Sequence, residues 1–292
     1  MTDAATTATP RRRRTSTRSS RMIFSILRGA FLSLVSLIVI VPIAYMVLAS
    51  FKTVPEFFGN PYGLPSEWAW DNYTRAWQDA HISITLPNTI IVTACSVLGS
   101  TFLDALIAYG ISRKEKPFAM GLYTLFVAGL LVPVNMIALP LFFLIKWLGL
   151  FGSLFALILP YIALGLPLGV LVLAPIAATL PRDLVSAAQV DGATEWQIFW
   201  RIILPLLKPG LISVAILNGV WMWNEFFIPL IVSFKPESQT MPVGIVAFIG
   251  AYSTEWGLVF ASVVVSTAPV VFAYLLMTRQ FQSGLTAGAI KG

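Results

Sequence analysis

The run Ser186-Ala187-Ala188-Gln189-Val190-Asp191-Gly192-Ala193, followed by Phe199, residues 202–206 and Pro209, is a polar insert between two long apolar stretches. Pro181 precedes it, and residues 182–190 are good helix formers in which Leu184, Ala187, Ala188 and Val190 make a small apolar face. Asp191-Gly192 breaks this helix, since glycine allows positive φ and aspartate is expected to cap the next helix. Residues 193–203 are expected to form that second helix, with Trp196, Phe199, Trp200 and Ile203 on one face, ended by Leu204-Pro205. An apolar surface on a polar loop needs a protein partner or the membrane surface to cover it. Alanines at 187 and 188 permit close helix approach.

Outward from this insert the chain is mostly hydrocarbon. Of 292 residues, 57% are hydrophobic and 11% charged, with mean hydropathy +0.82. A soluble domain carries about 25% charged residues, so the chain reads as an all-α integral membrane protein. One cysteine, Cys95, excludes an internal disulfide framework, and its apolar surroundings read as those of a small buried hydrophobe. The net charge of +6 reflects loops facing anionic lipid rather than a nucleic-acid partner. Residues 1–22, with Arg11-Arg12-Arg13-Arg14, read as a disordered basic tail. Residues 30–49 form an apolar run longer than the h-region of a signal peptide, so an uncleaved anchor is expected.

A helix needs about 20 apolar residues to cross the hydrocarbon core. Six stretches qualify: 29–50, 87–112, 118–141, 153–178, 207–233 and 257–278. Pro133, Pro160, Pro167, Pro175, Pro229 and Pro269 fall inside them, as packing kinks or as points of flexibility along a path. With the N-terminus inside, 15 of the 19 basic residues fall on the cytoplasmic side, and only Lys52, Arg75, Lys146 and Lys235 fall outside. Both termini and the 186–192 loop are then cytoplasmic. Residues 281–292 form a C-terminal tail on the same side, after a membrane domain of residues 23–280 in which the loop occupies about 180–206. Residues 51–86 lie outside, with Trp68, Trp70 and Trp77 as an interfacial belt or as a contact surface for a partner. Residues 142–151 are too short to span and are expected at the outer interface.

The loop resembles the signature loop of ABC importer permeases, E-A-A-x-x-x-G followed by I-x-L-P. Three further motifs resemble the sugar-importing, maltose-type branch. They are Trp223-Asn224-Glu225-Phe226, Ala108-Tyr109 with Arg113, and the tail Gly284-Leu285-Thr286-Ala287-Gly288-Ala289-Ile290-Lys291-Gly292. The resemblance covers residues 23–292, with one departure: the glutamate that opens the loop is Ser186 here. It implies six transmembrane helices with both termini inside, paired with a second homologous permease. Two ATP-binding subunits, which carry ATP and Mg, lie below, and an extracytoplasmic solute-binding protein delivers sugar from above. The chain itself is expected to bind no cofactor or metal and to have no catalytic residue. By resemblance, Ser186, Ala187, Ala188, Asp191, Gly192, Ala193 and Phe199 meet the ATPase, and Gly284, Thr286, Gly288 and Lys291 of the tail lie against it.

Ionisable residues within spans default to a functional reading. Here they are Asp104 and Glu225, the latter beside Asn218, Trp221, Trp223 and Asn224. Aromatic planes with hydrogen-bonding groups suit a sugar; Asn135 is a further pathway candidate. The alternatives are an ABC permease for a non-sugar solute and an ion-coupled carrier. The carrier would want a membrane-embedded relay, yet the only histidine, His81, lies outside. No metalloprotease, serine-triad or phosphate-loop pattern occurs, so an enzyme is not expected.

Overall fold

A computed structural model of the chain describes residues 18–250 and 253–289. Thirteen α-helices run through them. They are α1 Arg18–Ala49, α2 Val54–Gly59, α3 Asp71–Asp79, α4 Ile82–Ser112, α5 Lys116–Ala128, α6 Val134–Trp147, α7 Phe155–Ala178, α8 Arg182–Val190, α9 Glu195–Ile198, α10 Leu204–Asn224, α11 Phe227–Val232, α12 Met241–Ile245 and α13 Trp256–Ala289. The only β pairing among the described residues is an isolated bridge between Ile249 and Thr254. Residues 1–48 form one unit and 49–292 another. Helix α1 starts at Arg18, inside the segment expected to be a tail; residues 1–17 lie outside the described residues.

Among the described residues five helices are long and apolar enough to cross a membrane: Phe24–Ala49, Ile82–Ser112, Phe155–Ala178, Glu195–Asn224 and Trp256–Leu275. The expected third crossing, 118–141, is not one straight helix. It consists of Lys116–Leu131 and Val134–Trp147, bent by 98° at the break. Pro133 lacks an N–H and disfavours helical geometry in the residue before it, and Val132 is extended at φ −83°, ψ 114°. The helix after the break absorbs most of the 142–151 segment expected to lie separately at the interface. By contrast, Pro160, Pro167 and Pro175 all stay inside α7, and Pro269 inside α13.

The expected fifth crossing is also redrawn. Leu204-Pro205 does not end a helix: five π-helical residues, Phe199–Ile203, join α9 to α10, so the helix continues from Glu195 to Asn224. The Leu204 N–H bonds the Phe199 carbonyl, five residues back. Pro205 has no N–H to donate, so the wider turn loses little there. At its far end α10 stops at Asn224, and α11 begins two residues after Glu225.

The centre of the second unit is the α4–α7 contact. Val92, Ser96, Ser100, Asp104 and Ala108 are buried along one stripe of α4 at spacings of four. Cys95 lies off that stripe and is exposed, not buried as its apolar surroundings suggested. On α7 the facing residues are Gly165 and Gly169. A Cβ on Gly169 would overlap the Asp104 carboxyl, and one on Gly165 would lie 3.1 Å from Ser100 Cβ. Small residues thus let the two backbones approach closely, which is how helices gain packing energy where lipid supplies no hydrophobic drive. Helix α10 lies across both, and Asn218 Nδ2 donates to the Gly165 carbonyl at 3.3 Å.

The end of this unit away from α8 and α9 is fastened by polar side chains. Lys52 is buried, with Nζ donating to the carbonyls of Asn60 (2.6 Å) and Pro61 (2.9 Å). Asn72 Nδ2 donates to the carbonyls of Ser50 and Lys52. Trp68 and Trp70 pack edge-on against Phe51 while staying exposed.

Candidate functional site

Two regions concentrate the candidate residues: the α8–α9 hairpin and the break after α10. In the hairpin, Asp183 lies in the first turn of α8, where a negative charge complements the helix dipole. The helix ends in a Schellman motif. Ala193 N–H bonds the Ala188 carbonyl at 2.9 Å, and Gly192 N–H bonds the Gln189 carbonyl at 3.0 Å. Gly192 carries the left-handed φ of +81° that this turn requires. The small residue at 188, the turn at 191–192 and the small residue at 193 therefore form one physical unit.

Asp191 does not cap the second helix; it closes the end of the first one. The cap is Thr194. Its hydroxyl accepts from Gln197 N–H at 3.3 Å, and the Gln197 side chain accepts from Thr194 N–H at 2.9 Å. This is a capping box, readable from the T-x-x-Q spacing though not among the residues the motifs single out. Glu195 also escapes the sequence reading. Its carboxylate accepts from Tyr109 Oη of α4 at 2.9 Å and from Gln189 Nε2 of α8 at 2.8 Å. Nothing local signals a partner 86 positions away.

Apolar anchors hold the hairpin to the bundle. Val185, Ile198, Phe199 and Ile203 share a buried cluster with Ala105, Ala108, Ile111 and Leu173. Phe199, expected to meet a partner, is only 2% exposed and packs against Phe102, Tyr109 and Trp196. It is an anchor. The expected single aromatic face is split, because Trp196 and Trp200 stay exposed while Phe199 and Ile203 are buried. Ser186, Ala187, Asp191 and Gly192 are exposed, and Ala188 and Ala193 are half-buried against the same cluster. The Ser186 hydroxyl folds back to the Arg182 carbonyl at 3.2 Å. Beside the hairpin is a cavity of about 230 Å³ lined by Tyr109, Arg113, Arg182 and Ile203, among others.

At the α10–α11 break, Trp221, Asn224 and Glu225 line one open hollow of about 450 Å³ with Val220, Phe226 and Phe227. The Glu225 carboxylate accepts from Phe227 N–H, Ile228 N–H and Tyr161 Oη, each at 3.0 Å. Asn224 Nδ2 donates to the Val220 carbonyl of its own helix at 2.7 Å. The other pathway candidates lie elsewhere. Asn218 is buried in the α7–α10 contact, and Trp223 does not line the hollow. Asn135 is exposed in the first turn of α6. Asp104 is fully buried in the α4–α7 contact, and neither carboxyl oxygen has a hydrogen-bond partner among the described residues.

Gly284, Thr286 and Gly288 lie on the helical backbone of α13, which runs to Ala289. Lys291 lies outside the described residues. Among the described residues no three His, Cys, Asp or Glu side chains group as metal ligands would.

Comparison with known proteins converges on one family. Residues 105–287 match the family described as binding-protein-dependent transport system inner membrane component. The diacetylchitobiose uptake system permease protein NgcG of Streptomyces coelicolor is 34% identical over 275 residues, covering 94% of this chain and 91% of that protein. The trehalose/maltose transport system permease protein MalG of Thermococcus litoralis is 36% identical over 263 residues, covering 89% and 94%. In fold, the chain is similar to a chain from the crystal structure of a bacterial ABC transporter that imports the acidic polysaccharide alginate. The TM-score is 0.74 at 22% identity, covering 90% of this chain and 98% of that one.

Proposed function

This chain belongs to the family of binding-protein-dependent transport system inner membrane components, and from that premise we propose that it is one permease subunit of an ATP-driven importer of a sugar, an oligosaccharide by the pattern of its relatives. It is a transport component and not an enzyme. The observation that carries the reading is the α8–α9 hairpin: an edge on which Ser186, Ala187, Asp191 and Gly192 are exposed, on a base anchored by buried Val185, Ile198 and Phe199. A rigid projection with a small-residue edge is what a docking partner needs in order to push or pull a helix bundle. The anchors lead directly into α4, α7 and α10, so force on the hairpin reaches the helices around Gly165 and Asn218.

In this reading both termini and the hairpin are cytoplasmic, as the basic-residue distribution favours. A second homologous permease completes the pathway, and two ATP-binding subunits dock on the hairpins. ATP and Mg belong to those subunits, not to this chain. A solute-binding protein delivers sugar at the opposite face. Closure of the ATPase dimer moves the hairpin and switches the helices between inward- and outward-open packings, a transition between two discrete arrangements. The hollow beside Trp221, Asn224 and Glu225 is the candidate stretch of sugar pathway. The names of the relatives favour a sugar over other solutes, and the hairpin has no place in an ion-coupled carrier.

The test is ATPase activity of the reconstituted assembly, with its binding protein, against a panel containing diacetylchitobiose, maltose, trehalose, a dipeptide and a metal salt. Stimulation by a saccharide alone supports the reading, and stimulation by a non-sugar alone assigns a different cargo. The chain purified alone is expected to hydrolyse no ATP. Uptake by the chain alone, with no ATPase present, defeats the proposal.

A further inference from the structure

Glu195 joins three elements through one carboxylate. It stands at the start of α9, accepts the Tyr109 hydroxyl from the foot of α4, and accepts the Gln189 amide from α8. Among the described residues the other links between hairpin and bundle are apolar, through Val185, Ile198 and Phe199. Apolar packing holds a segment close but is non-directional. Hydrogen bonds to a carboxylate fix distance and angle. The exposed edge of α8 offers no such link, since Ser186 bonds back to Arg182 of its own helix. Tyr109 serves twice: its ring packs on Phe199, and its hydroxyl reaches Glu195.

We infer that Glu195 is a positioning residue: with Tyr109 and Gln189 it clasps the α8–α9 hairpin to the foot of α4, fixing the rotation of the hairpin so that its displacement is passed to the bundle instead of being lost in rocking. The inference rests on the reading of the hairpin as the ATPase-coupling element. It assigns a role to a residue outside the small-residue edge.

The experiment uses the whole assembly in liposomes with its binding protein. It measures sugar transported per ATP hydrolysed, for whichever of diacetylchitobiose, maltose and trehalose stimulates most. Tyr109→Phe is expected to lower that ratio about fivefold, the scale of one net hydrogen bond, and Glu195→Ala, which also loses the Gln189 bond, by at least as much. The double variant is expected to lower it no further than Glu195→Ala alone, because the bond Tyr109→Phe opens is already lost there. Glu195→Gln keeps an acceptor oxygen and should recover part of the loss. Co-purification of the ATPase should stay at the wild-type level throughout, which separates a loose clasp from a lost dock. An unchanged ratio, or losses that simply add, overturns the clasp. If Glu195→Ala fails to accumulate, Tyr109→Phe decides alone, since it keeps the ring on Phe199. Gly192→Val is run in parallel. If it uncouples transport while the clasp variants do not, only the clasp is wrong. If it too transports normally, the coupling reading falls and takes the clasp with it.

Discussion

Tyr161 on α7 donates its hydroxyl to Oε2 of Glu225 at 3.0 Å, at the point where α10 stops. The same oxygen accepts from Ile228 N–H, and Oε1 accepts from Phe227 N–H, the first two amides of α11, which have no carbonyl of their own helix to bond. One carboxylate therefore satisfies the start of α11 and pins it to α7. A carboxylate among apolar helices is costly unless donors face it, and here three donors do. The carboxylate is committed to holding a corner in the helix, and the hollow beside it is framed by that corner.

Replacement of Glu225 should therefore be read first as a stability change. Glu225→Gln turns one acceptor into a donor that opposes the backbone N–H groups, at a cost of about 1–3 kcal/mol. Tyr161→Phe removes one bond and leaves the ring against Trp221, at a cost of about 1 kcal/mol. Both should lower the thermal unfolding temperature of the purified assembly, Glu225→Gln by more. A normal unfolding temperature combined with lost sugar stimulation would assign Glu225 to the substrate instead.

Gly192 is the second test. At φ +81° a side chain meets the left-handed penalty of about 1–2 kcal/mol, larger for a β-branched residue. Nothing lies within 4 Å of the space a Cβ would fill, so the penalty is purely conformational. Gly192→Asn should be tolerated and Gly192→Val should not. The expected readout is loss of ATPase co-purification or coupling, with normal membrane insertion. Equal behaviour of the two variants would show that the Schellman turn is dispensable.

The α4–α7 contact makes a paired prediction. Gly169→Ala drives a methyl into the Asp104 carboxyl and should cost about 1–3 kcal/mol by overpacking. Asp104→Ala in the same chain vacates that space and should restore much of the yield and thermal stability. Because Asp104 has no hydrogen-bond partner among the described residues, its removal breaks no bond described there. If the double variant is no better than Gly169→Ala alone, the carboxyl is not what excludes the methyl.

What the sequence discloses and what it withholds divide along physical lines. Apolar length alone marks the crossing helices, because the hydrocarbon core sets it. The turn at Gly192 is legible because a single residue type suits its φ. The break at Pro133 is not, since Pro160, Pro167 and Pro175 look the same in sequence and remain helical. Exposure does not separate them either: Leu131, Val132 and Met136 around Pro133 are exposed, but so is most of α1, which carries Pro42 within an unbroken helix. A carboxylate in a span marks Glu225 as functional, but the hydroxyl that engages it, on Tyr161, stands 64 positions away. The resemblance places Phe199 on the partner face, whereas in the structure it is buried against Phe102 and Tyr109 of α4.

The orientation proposed for the chain gives the last prediction. Val190 on the hairpin is 87% exposed, and Leu64, in the segment between α2 and α3, is 70% exposed. With the termini inside, these two positions lie on opposite sides of the membrane. Cys95, the one native cysteine, is exposed on α4 and is first replaced by alanine to give a silent background. In intact cells a membrane-impermeant maleimide should then label Leu64→Cys and leave Val190→Cys unmodified until the membrane is opened. The reverse pattern would invert the topology and place the hairpin out of reach of any ATPase. In opened membranes, co-expression of the ATP-binding subunit should slow labelling of Val190→Cys, because docking covers the hairpin edge. It should leave Leu64→Cys unaffected. Correct topology without that protection would keep the hairpin cytoplasmic but move the docking surface elsewhere.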